Sequence, residues 1–541
     1  MKNTNLGQRL LRASLELMPQ AQRAVRAWDA FHGRYRRDAY QGAGINRLVA
    51  DWMATTLSPD SEVKWSIRRL RARARDLARN DGYAKHFVRL VVTNVIGPMG
   101  FKLKSRVRRG DALDKDTNAT IETGWTEWCK SRVTTDGKMN FREAQVLALR
   151  SMVADGEVLV RFMPGPQYPH GLALQLIDAD MLDESLNRSR FDGQNEIRMG
   201  IEVNELGRPL AYHFFADTAG RPGVSMLDSS RRVRIPEDEI LHLFSIERPN
   251  QTRGVTWLHA GMYPLKMLNG YQEAELVAAR VAAAKMGFIV SQEGVTGEAS
   301  DTTTPAVYEA APGTMEELPS GKTFLGWDPV HPVAAFGPFV KACLRWVASA
   351  FGVSYNGLGN DLEGVNYSSL RDGRLTERDA YRMIQEHWID QFIRPVYAAW
   401  MRTALMTGAL ELATLDPAAY APFALWRARG WQWVDPLKDI AAAEKEIGLG
   451  VNSRTRICAE SGDDFEEIAE ELADEREIAE ELGISIDGFD NAAAATLSNQ
   501  LMQDDATDQT GGGQAEDDDE PPAKKTPASK NGRHIVPARR F

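Results

Sequence analysis

The residues most suggestive of chemistry lie in FGVSYNGLGNDLEGVNYSS, positions 351 to 369. Gly352-Val353-Ser354-Tyr355-Asn356 falls one residue short of G-x-S-x-G, the sharp turn that presents a nucleophilic serine. That turn needs a strand before the serine and a helix directly after it. Here the preceding residues have a helical apolar pattern, a Gly- and Asn-rich stretch follows, and Asn356 replaces the second glycine. The segment therefore reads as a bendable loop. Gly321-Lys322-Thr323 ends like a phosphate-binding loop, but Glu316 stands where its first glycine belongs. FLGWDP behind it starts a helix poorly, so the helix N-terminus that would hold phosphate is missing and a β-turn is predicted. The pairs Asp178/Asp180 and Asp361/Glu363 are short acidic pairs of a kind that can bind a divalent cation, yet such pairs are common. The nine histidines are scattered, and neither H-x-x-x-H nor C-x-x-C occurs; His213 and His242 lie in β runs and read as satisfied core or surface residues. No metal, cofactor or catalytic constellation is read.

The elements that would position these residues alternate in type. A helix is predicted over 66–95, with Tyr83, Phe87, Leu90, Val91 and Asn94 at helical spacing and Gly97-Pro98 as its stop. Helices over 117–132 and 141–155 follow, the first with Ile121, Trp125 and Trp128 on one side. Residues 157–246 are β-rich, in short runs such as EVLVRF and PLAYHFF, and NELGRP at 204–209 reads as a hairpin turn. Helical periodicity returns over 257–288, whose Ala-rich centre permits close approach of another helix. Residues 289–335 form a small non-helical insert with short β runs. A well-marked helix ends at Phe351: Phe336, Phe339, Val340, Cys343, Leu344, Val347, Ala350 and Phe351 share one face, and Lys341 and Arg345 lie on the other. Beyond the opening stretch a long helix runs from about 367 to 406, kinked at Pro395, which lacks a backbone donor. A Trp-rich strand and turn precede two or three acidic helices over 436–482.

With 541 residues, 43% hydrophobic and 26% charged, the chain is expected to form two to four packing units of an ordinary globular protein. No apolar run reaches the roughly 18–20 residues that cross a bilayer, and the N-terminal segment lacks the apolar centre of a signal peptide. Three widely spaced cysteines give no disulfide framework and suit a reducing compartment such as cytoplasm. The net charge of −10 conceals a basic stretch, SIRRLRARARDLARNDGYAKH, and an acidic one, DDFEEIAEELADEREIAEE. The basic stretch is read as a phosphate-binding patch, a solvated helix face, or a surface pairing with a neighbouring subunit. Residues 1 to about 60 read as partly mobile. The tail from about 500 has too few apolar residues to pack and is expected to be disordered.

The order of these elements resembles the portal proteins of tailed bacteriophages, and in detail the lambda-type portal family. The resemblance is carried by LRARARDLARNDGYAKHFVRLVVTNVIGPMGFKLKS (70–105), AELVAARVAAAKMGFI (274–289) and AFGPFVKACLRWVASAFGVSYNGLGNDLEGVNYSSLRDG (335–373). IDQFIRPVYAAWM (389–401) and WVDPLKDIAAAEKEIGLGVNSRTRICAESGDDFEEI (433–468) extend it, so that it covers roughly residues 40 to 480.

The resemblance implies an α+β portal fold: a mixed α/β wing, a two-helix stem, a small β-containing clip, a long kinked helix and a helical crown. Carried onto this chain, 1–256 is the N-terminal part of the wing, 257–288 and 336–351 are the stem helices, and 289–335 is the clip. Residues 352–366 are the tunnel loop, 367–434 the long helix and the rest of the wing, 435–490 the crown and 491–541 a disordered tail. It implies a homo-oligomeric ring, a homododecamer, at one capsid vertex. Double-stranded DNA would pass through it without sequence preference. Terminase large subunit, a head–tail connector, and capsid and scaffold proteins would be its partners, with no membrane, no cofactor and no enzymatic activity. Assembly would take place in the host bacterial cytoplasm. Ser354, Tyr355, Asn356, Asn360, Asp361, Glu363 and Asn366 would line the tunnel constriction. Ala279, Ala283, Phe339 and Leu344 would pack the stem, and Lys341 and Arg345 would touch DNA phosphates or pair with a neighbouring stem. The loop carries no Lys or Arg between 352 and 370, so it would repel phosphate rather than grip it. Two other readings are a nucleic-acid-processing enzyme using the basic N-terminal patch, and another ring-forming head–tail connector.

Overall fold

The computed structural model describes residues 56–191, 194–216, 231–283, 287–291, 322–326, 335–363, 367–431 and 436–482. The expectations for residues 1–55, the tail 491–541 and most of 292–334 lie outside the described residues.

In chain order, helices α1 (Pro59–Lys64), α2 (Ile67–Asn80) and α3 (Gly82–Val95) are followed by strands β1 (Lys102–Ser105), β2 (Arg108–Arg109) and β3 (Ala112–Leu113). Helices α4 (Lys115–Lys130) and α5 (Phe141–Asp155) lead into β4 (Glu157–Pro164), β5 (Leu172–Ile177), β6 (Glu196–Arg198), β7 (Ile201–Val203), β8 (Pro209–Phe215), β9 (Arg232–Pro236) and β10 (Ile240–Phe244). Then come α6 (His259–Ala283), β11 (Gly287–Ser291), β12 (Lys322–Gly326), α7 (Phe336–Phe351) and a short α8 (Tyr355–Gly359). Helix α9 (Tyr367–Trp388) passes through a π-turn (Ile389–Ile393) into α10 (Arg394–Thr407). Strand β13 (Ala424–Arg427) and helices α11 (Pro436–Gly448), α12 (Arg454–Ser461) and α13 (Phe465–Leu482) complete the described chain.

The chain divides into two compact units: 1–88, 147–163 and 174–352 in the first, 89–146, 164–173 and 353–541 in the second. The first holds the antiparallel meander β6-β7-β8-β9 and the sheet β10-β4-β5. Their shared core includes Leu159, Ile177, Leu182, Ile201, Tyr212, Phe214, Ile235 and Ile240. Burying each large apolar side chain contributes roughly 1.5–3 kcal/mol. The hairpin predicted at 204–209 forms as read: Asn204 Oδ1 accepts the amides of Leu206 and Arg208, both at 2.9 Å, and Gly207 takes a φ of 80°.

Four expectations need correction. The predicted helix 66–95 is two helices. Asp81 is extended, its carboxylate accepts the Ala84 amide at 2.6 Å, and Asn80-Asp81-Gly82 turns the chain. Lys322-Thr323 lies in β12, paired antiparallel with β11 through Ser291–Lys322 and Val290–Thr323, and is not a β-turn. The stretch after Gly352 is not loop throughout, because α8 forms within it. The long helix is not α-helical throughout: a π-turn lies just before Pro395, with the Arg394 amide bonding to the Ile389 carbonyl.

The second unit is built on aromatic packing. Trp125 lies 5.2 Å from Trp128, 5.3 Å from both Phe141 and Tyr397, 5.1 Å from Trp400 and 5.6 Å from Trp426, ring centre to ring centre. The Trp128 indole donates to the Leu172 carbonyl at 3.2 Å and the Trp400 indole to His170 Nδ1 at 3.2 Å, so these buried polar tips are satisfied. Buried Gln385 donates to the Asn94 and Arg429 carbonyls at 3.0 and 3.1 Å, tying α9 to α3 and to the exit of β13.

Candidate functional site

Ser354 sits where a helix ends and a shorter one begins. Gly352 caps α7 in the left-handed conformation (φ 68°), and its amide returns to the carbonyls of Ala348 and Ser349. Ser354 is the N-cap of α8: its Oγ accepts the Gly357 amide at 3.1 Å and donates to Glu377 Oε2 at 3.0 Å. Asn360, at φ 51°, closes α8 on the far side. Asp361 then takes two bonds, from the Tyr355 hydroxyl at 2.6 Å and from the Glu363 amide at 3.0 Å. Asn356 is half-buried, Glu363 is exposed, and Asn366 lies outside the described residues. Leu358 is only 1% exposed and anchors the turn. The segment is thus a capped helical turn with internal bonds.

The chemistry open to Ser354 follows from these partners. Its hydroxyl proton points to a carboxylate with no imidazole between them, and its lone pairs serve a backbone amide. That is a capping role. Glu377 also accepts from Tyr381 at 3.0 Å, and burial together with the Glu377 charge pushes the Tyr381 phenol far up.

The other predicted residues fall on α6 and α7, which run side by side and antiparallel. Tyr271 packs against Phe336 and Phe339 at 5.7 and 5.0 Å, and one end of the pair is set by Phe351 lying directly over Gly261. Leu344 is buried, while Phe339 is 51% exposed. Ala279 is exposed, and the side chain of Ala283 lies outside the described residues. Lys341 and Arg345 sit one turn apart on α7, the first half-buried and the second exposed.

Two arginines of the densest basic stretch are taken up inside the chain, while Arg68, Arg69, Arg73 and Arg79 stay exposed. Arg71 on α2 is buried and donates to Glu157 at 2.7 Å and Asp180 at 2.6 Å. Arg75 donates to Asp155, Asp178 and Asp180 at 2.7, 2.7 and 2.5 Å. The acidic pair Asp178/Asp180 therefore already holds guanidinium cations, and among the described residues no carboxylate, His or Cys cluster forms a metal site. Fully buried Glu157 also accepts from Arg253 at 2.5 Å, from His242 at 2.9 Å and from the Gly254 amide at 3.1 Å. Burial alone would raise its pKa; Arg253 and His242 outweigh that and hold the carboxyl well below its usual range. Burial lowers the His242 pKa against the pull of Glu157. Sequence reasoning missed this network. Its one signal was a glutamate opening the apolar run Val158-Leu159-Val160; all four residues are buried. Cys129, Cys343 and Cys458 are free thiols, and burial pushes Cys129 well up.

Two curated relatives and one solved structure compare with this chain. A probable portal protein of Halomonas phage phiHAP-1 is 36% identical over 457 residues, covering 82% of this chain and 87% of its own. Portal protein B of Escherichia phage lambda is 24% identical over 504 residues, covering 84% and 90%. Among solved structures, a chain from the neck of an empty gene transfer agent particle aligns with a TM-score of 0.40 at 12% identity, covering 72% of this chain and 93% of its own. The description "phage portal protein, lambda family" matches residues 46–385. With that match across most of its length, the chain belongs to the lambda family of phage portal proteins, whose members are structural rather than enzymatic components of the capsid.

Proposed function

We propose that this chain assembles into a homododecameric ring at one capsid vertex and forms the channel through which double-stranded DNA enters and leaves. The observation that carries the reading is the apolar surface left open on the α6/α7 pair of a single chain. Tyr263, Met267, Leu276 and Val277 on α6 are 71, 57, 64 and 52% exposed, and Phe339 and Trp346 on α7 are 51 and 59% exposed. Side chains of this size on neighbouring helices call for a cover, and the stem of the next copy is the cover proposed. On this reading 257–288 and 336–351 are the stem, 352–366 the tunnel segment, 1–256 and 367–434 the wing, and 435–490 the crown. The β11–β12 pair belongs to a clip (289–335) that meets terminase large subunit and then a head–tail connector, with capsid and scaffold proteins around the ring.

The tunnel segment acts as a low-adhesion constriction. Glu363 is exposed and Asp361 half-buried, and repeated around a ring they repel a phosphate backbone. Lys341 and Arg345 supply whatever phosphate contact the stem makes. Negative-stain imaging of the purified protein tests the ring: particles with a central hole support it, and a uniform monomer at high concentration rejects it. Deleting 356–364 should leave rings intact and impair DNA packaging or retention.

A further inference from the structure

The second unit carries a cation cluster that the channel reading does not use. Trp431 is surrounded by three guanidiniums: the Cζ atoms of Arg378, Arg382 and Arg429 lie 5.9, 5.8 and 6.0 Å from its ring centre. Trp431 also lines a cleft of about 580 Å³ together with Lys102, Arg374, Arg378, Arg427 and Arg429, with Asp463 the acidic side chain among its described lining residues. Lys102 reaches Glu467 at 3.3 Å and Arg427 reaches Asp464 at 3.0 Å, so these two charges are partly balanced. Arg429 donates to the Thr93 carbonyl at 2.5 Å and to Asn94 Oδ1 at 3.2 Å, both uncharged acceptors. A second cleft that Trp431 also lines is different: there Asp439, Glu446 and Glu460 accompany Arg371, Arg378 and Arg382, and Arg371 pairs with Asp439 at 2.8 Å. The positive excess is therefore confined to one cleft. It is costly to the protein: burial, and then repulsion from Arg374, Arg382 and Arg429, draws the Arg378 pKa down.

We infer that this cleft binds phosphate groups, supplied by a nucleic-acid backbone. Guanidiniums approach from two elements, α9 and the exit of β13. The two non-bridging oxygens of a phosphodiester carry a full negative charge and accept several charge-assisted bonds, so guanidiniums arriving from both elements can share one group. Arg374 and Arg378, both in the lining of this cleft, stand four residues apart on α9, roughly 6 Å of helix rise. That spacing suits a polymer of evenly repeated anions better than the irregular carboxylates of an acidic peptide. Trp431 holds the guanidiniums by cation–π contact and so limits the ordering cost of binding. The site uses no residue of the 352–366 segment or of α7, and it is complete in one chain.

The test is binding of a short labelled DNA duplex to the full-length protein across a salt series. Wild type should bind with strong salt dependence. Arg374→Ala removes an exposed side chain and should keep the fold, and it should weaken binding roughly tenfold and reduce the salt slope by about 1. Arg374→Ala combined with Arg378→Ala should weaken it further, while Arg402→Ala, on an exposed face of α10, should not change it. Titration with inorganic phosphate and pyrophosphate separates the sources: competition by either at millimolar level without duplex binding identifies a free phosphate as the ligand and retains the site. Equal duplex affinity of the double variant and wild type overturns the inference. So does Arg374-dependent binding of polyglutamate with no response to phosphate or DNA. Trp346→Glu, designed to abolish rings, separates this inference from the channel reading: duplex binding that survives in a monomer supports the cleft whatever becomes of the ring.

Discussion

Ser354 Oγ lies 3.0 Å from Glu377 Oε2 while accepting the Gly357 amide at 3.1 Å, so one hydroxyl joins the first turn of α8 to the middle of α9. A residue that looked like a misplaced nucleophile is the pin that sets the geometry of the segment leading to Asp361 and Glu363. Ser354→Ala should cost about 1 kcal/mol, the usual worth of an N-cap, and free α8 to fray. Faster amide exchange at Gly357 and Leu358, with rings still visible by microscopy, is the expected result. Unchanged exchange there would show that Leu358 alone holds the turn.

Glu157 is the most consequential single charge in the first unit. Glu157→Ala leaves Arg71 and Arg253 buried without their common partner and should destabilise by about 3–5 kcal/mol, read as a lower urea midpoint. Arg248→Ala, at an exposed pair with Glu62, should by contrast shift the midpoint by no more than about 1 kcal/mol.

The same network sets a direction for pH dependence. His242 has a folded pKa below its usual 6.5, so below that pH the unfolded chain takes up the proton more readily and stability falls. Glu157 and Glu202 have depressed folded values. Their contribution is complete above the usual 4.5 and is lost as pH falls through the folded values, which for Glu202, bonded to Arg234, is about 2. Stability of the first unit should therefore decline from about pH 6.5 downward and more steeply below about 4.5. His242→Gln should shrink the first stage to the share of His213, whose pKa burial also lowers, and leave the second, which a series of urea melts across pH would resolve.

The exposed apolar face of the stem pair makes a prediction about assembly. Trp346→Glu changes a side chain that is 59% exposed in one chain, so the monomer should keep its melting temperature while the ring population collapses. Ala279→Leu should act in the same sense: Ala279 is exposed within the chain, and the added bulk meets resistance only against a neighbouring copy. Light scattering coupled to size exclusion distinguishes loss of assembly from loss of fold.

Packing within the pair is tight at one point. A Cβ at Gly261 would run into the Phe351 ring, which also stacks on Phe87 at 4.5 Å. Gly261→Ala should destabilise the first unit by roughly 1–3 kcal/mol, the cost of overpacking a filled core. A thermal melt that matched wild type would mean that Phe351 moves aside freely.

What the sequence determined by itself was whatever depends on local periodicity and turn chemistry. Helix α7 runs from Phe336 to Phe351 as its apolar spacing implies, α5 occupies 141–155, and the Asn204 turn joins its two strands, because each is set by residues within a few positions of one another. Order along the chain, with the quoted segments, was enough to point to the family. Tertiary structure alone decided where the charges went. Nothing in SIRRLRARARD distinguishes Arg71, sealed against Glu157, from its exposed neighbours, since the partner lies 86 residues away and burial is a property of the assembled sheet. It likewise turned Asp178 and Asp180 from a candidate cation site into acceptors for arginine, and Lys322-Thr323 from a presumed turn into a paired strand. It also gathered Arg378, Arg382 and Arg429 around Trp431. Coulombic and packing energies depend on distance in space, and the fold brings together groups that lie far apart along the chain.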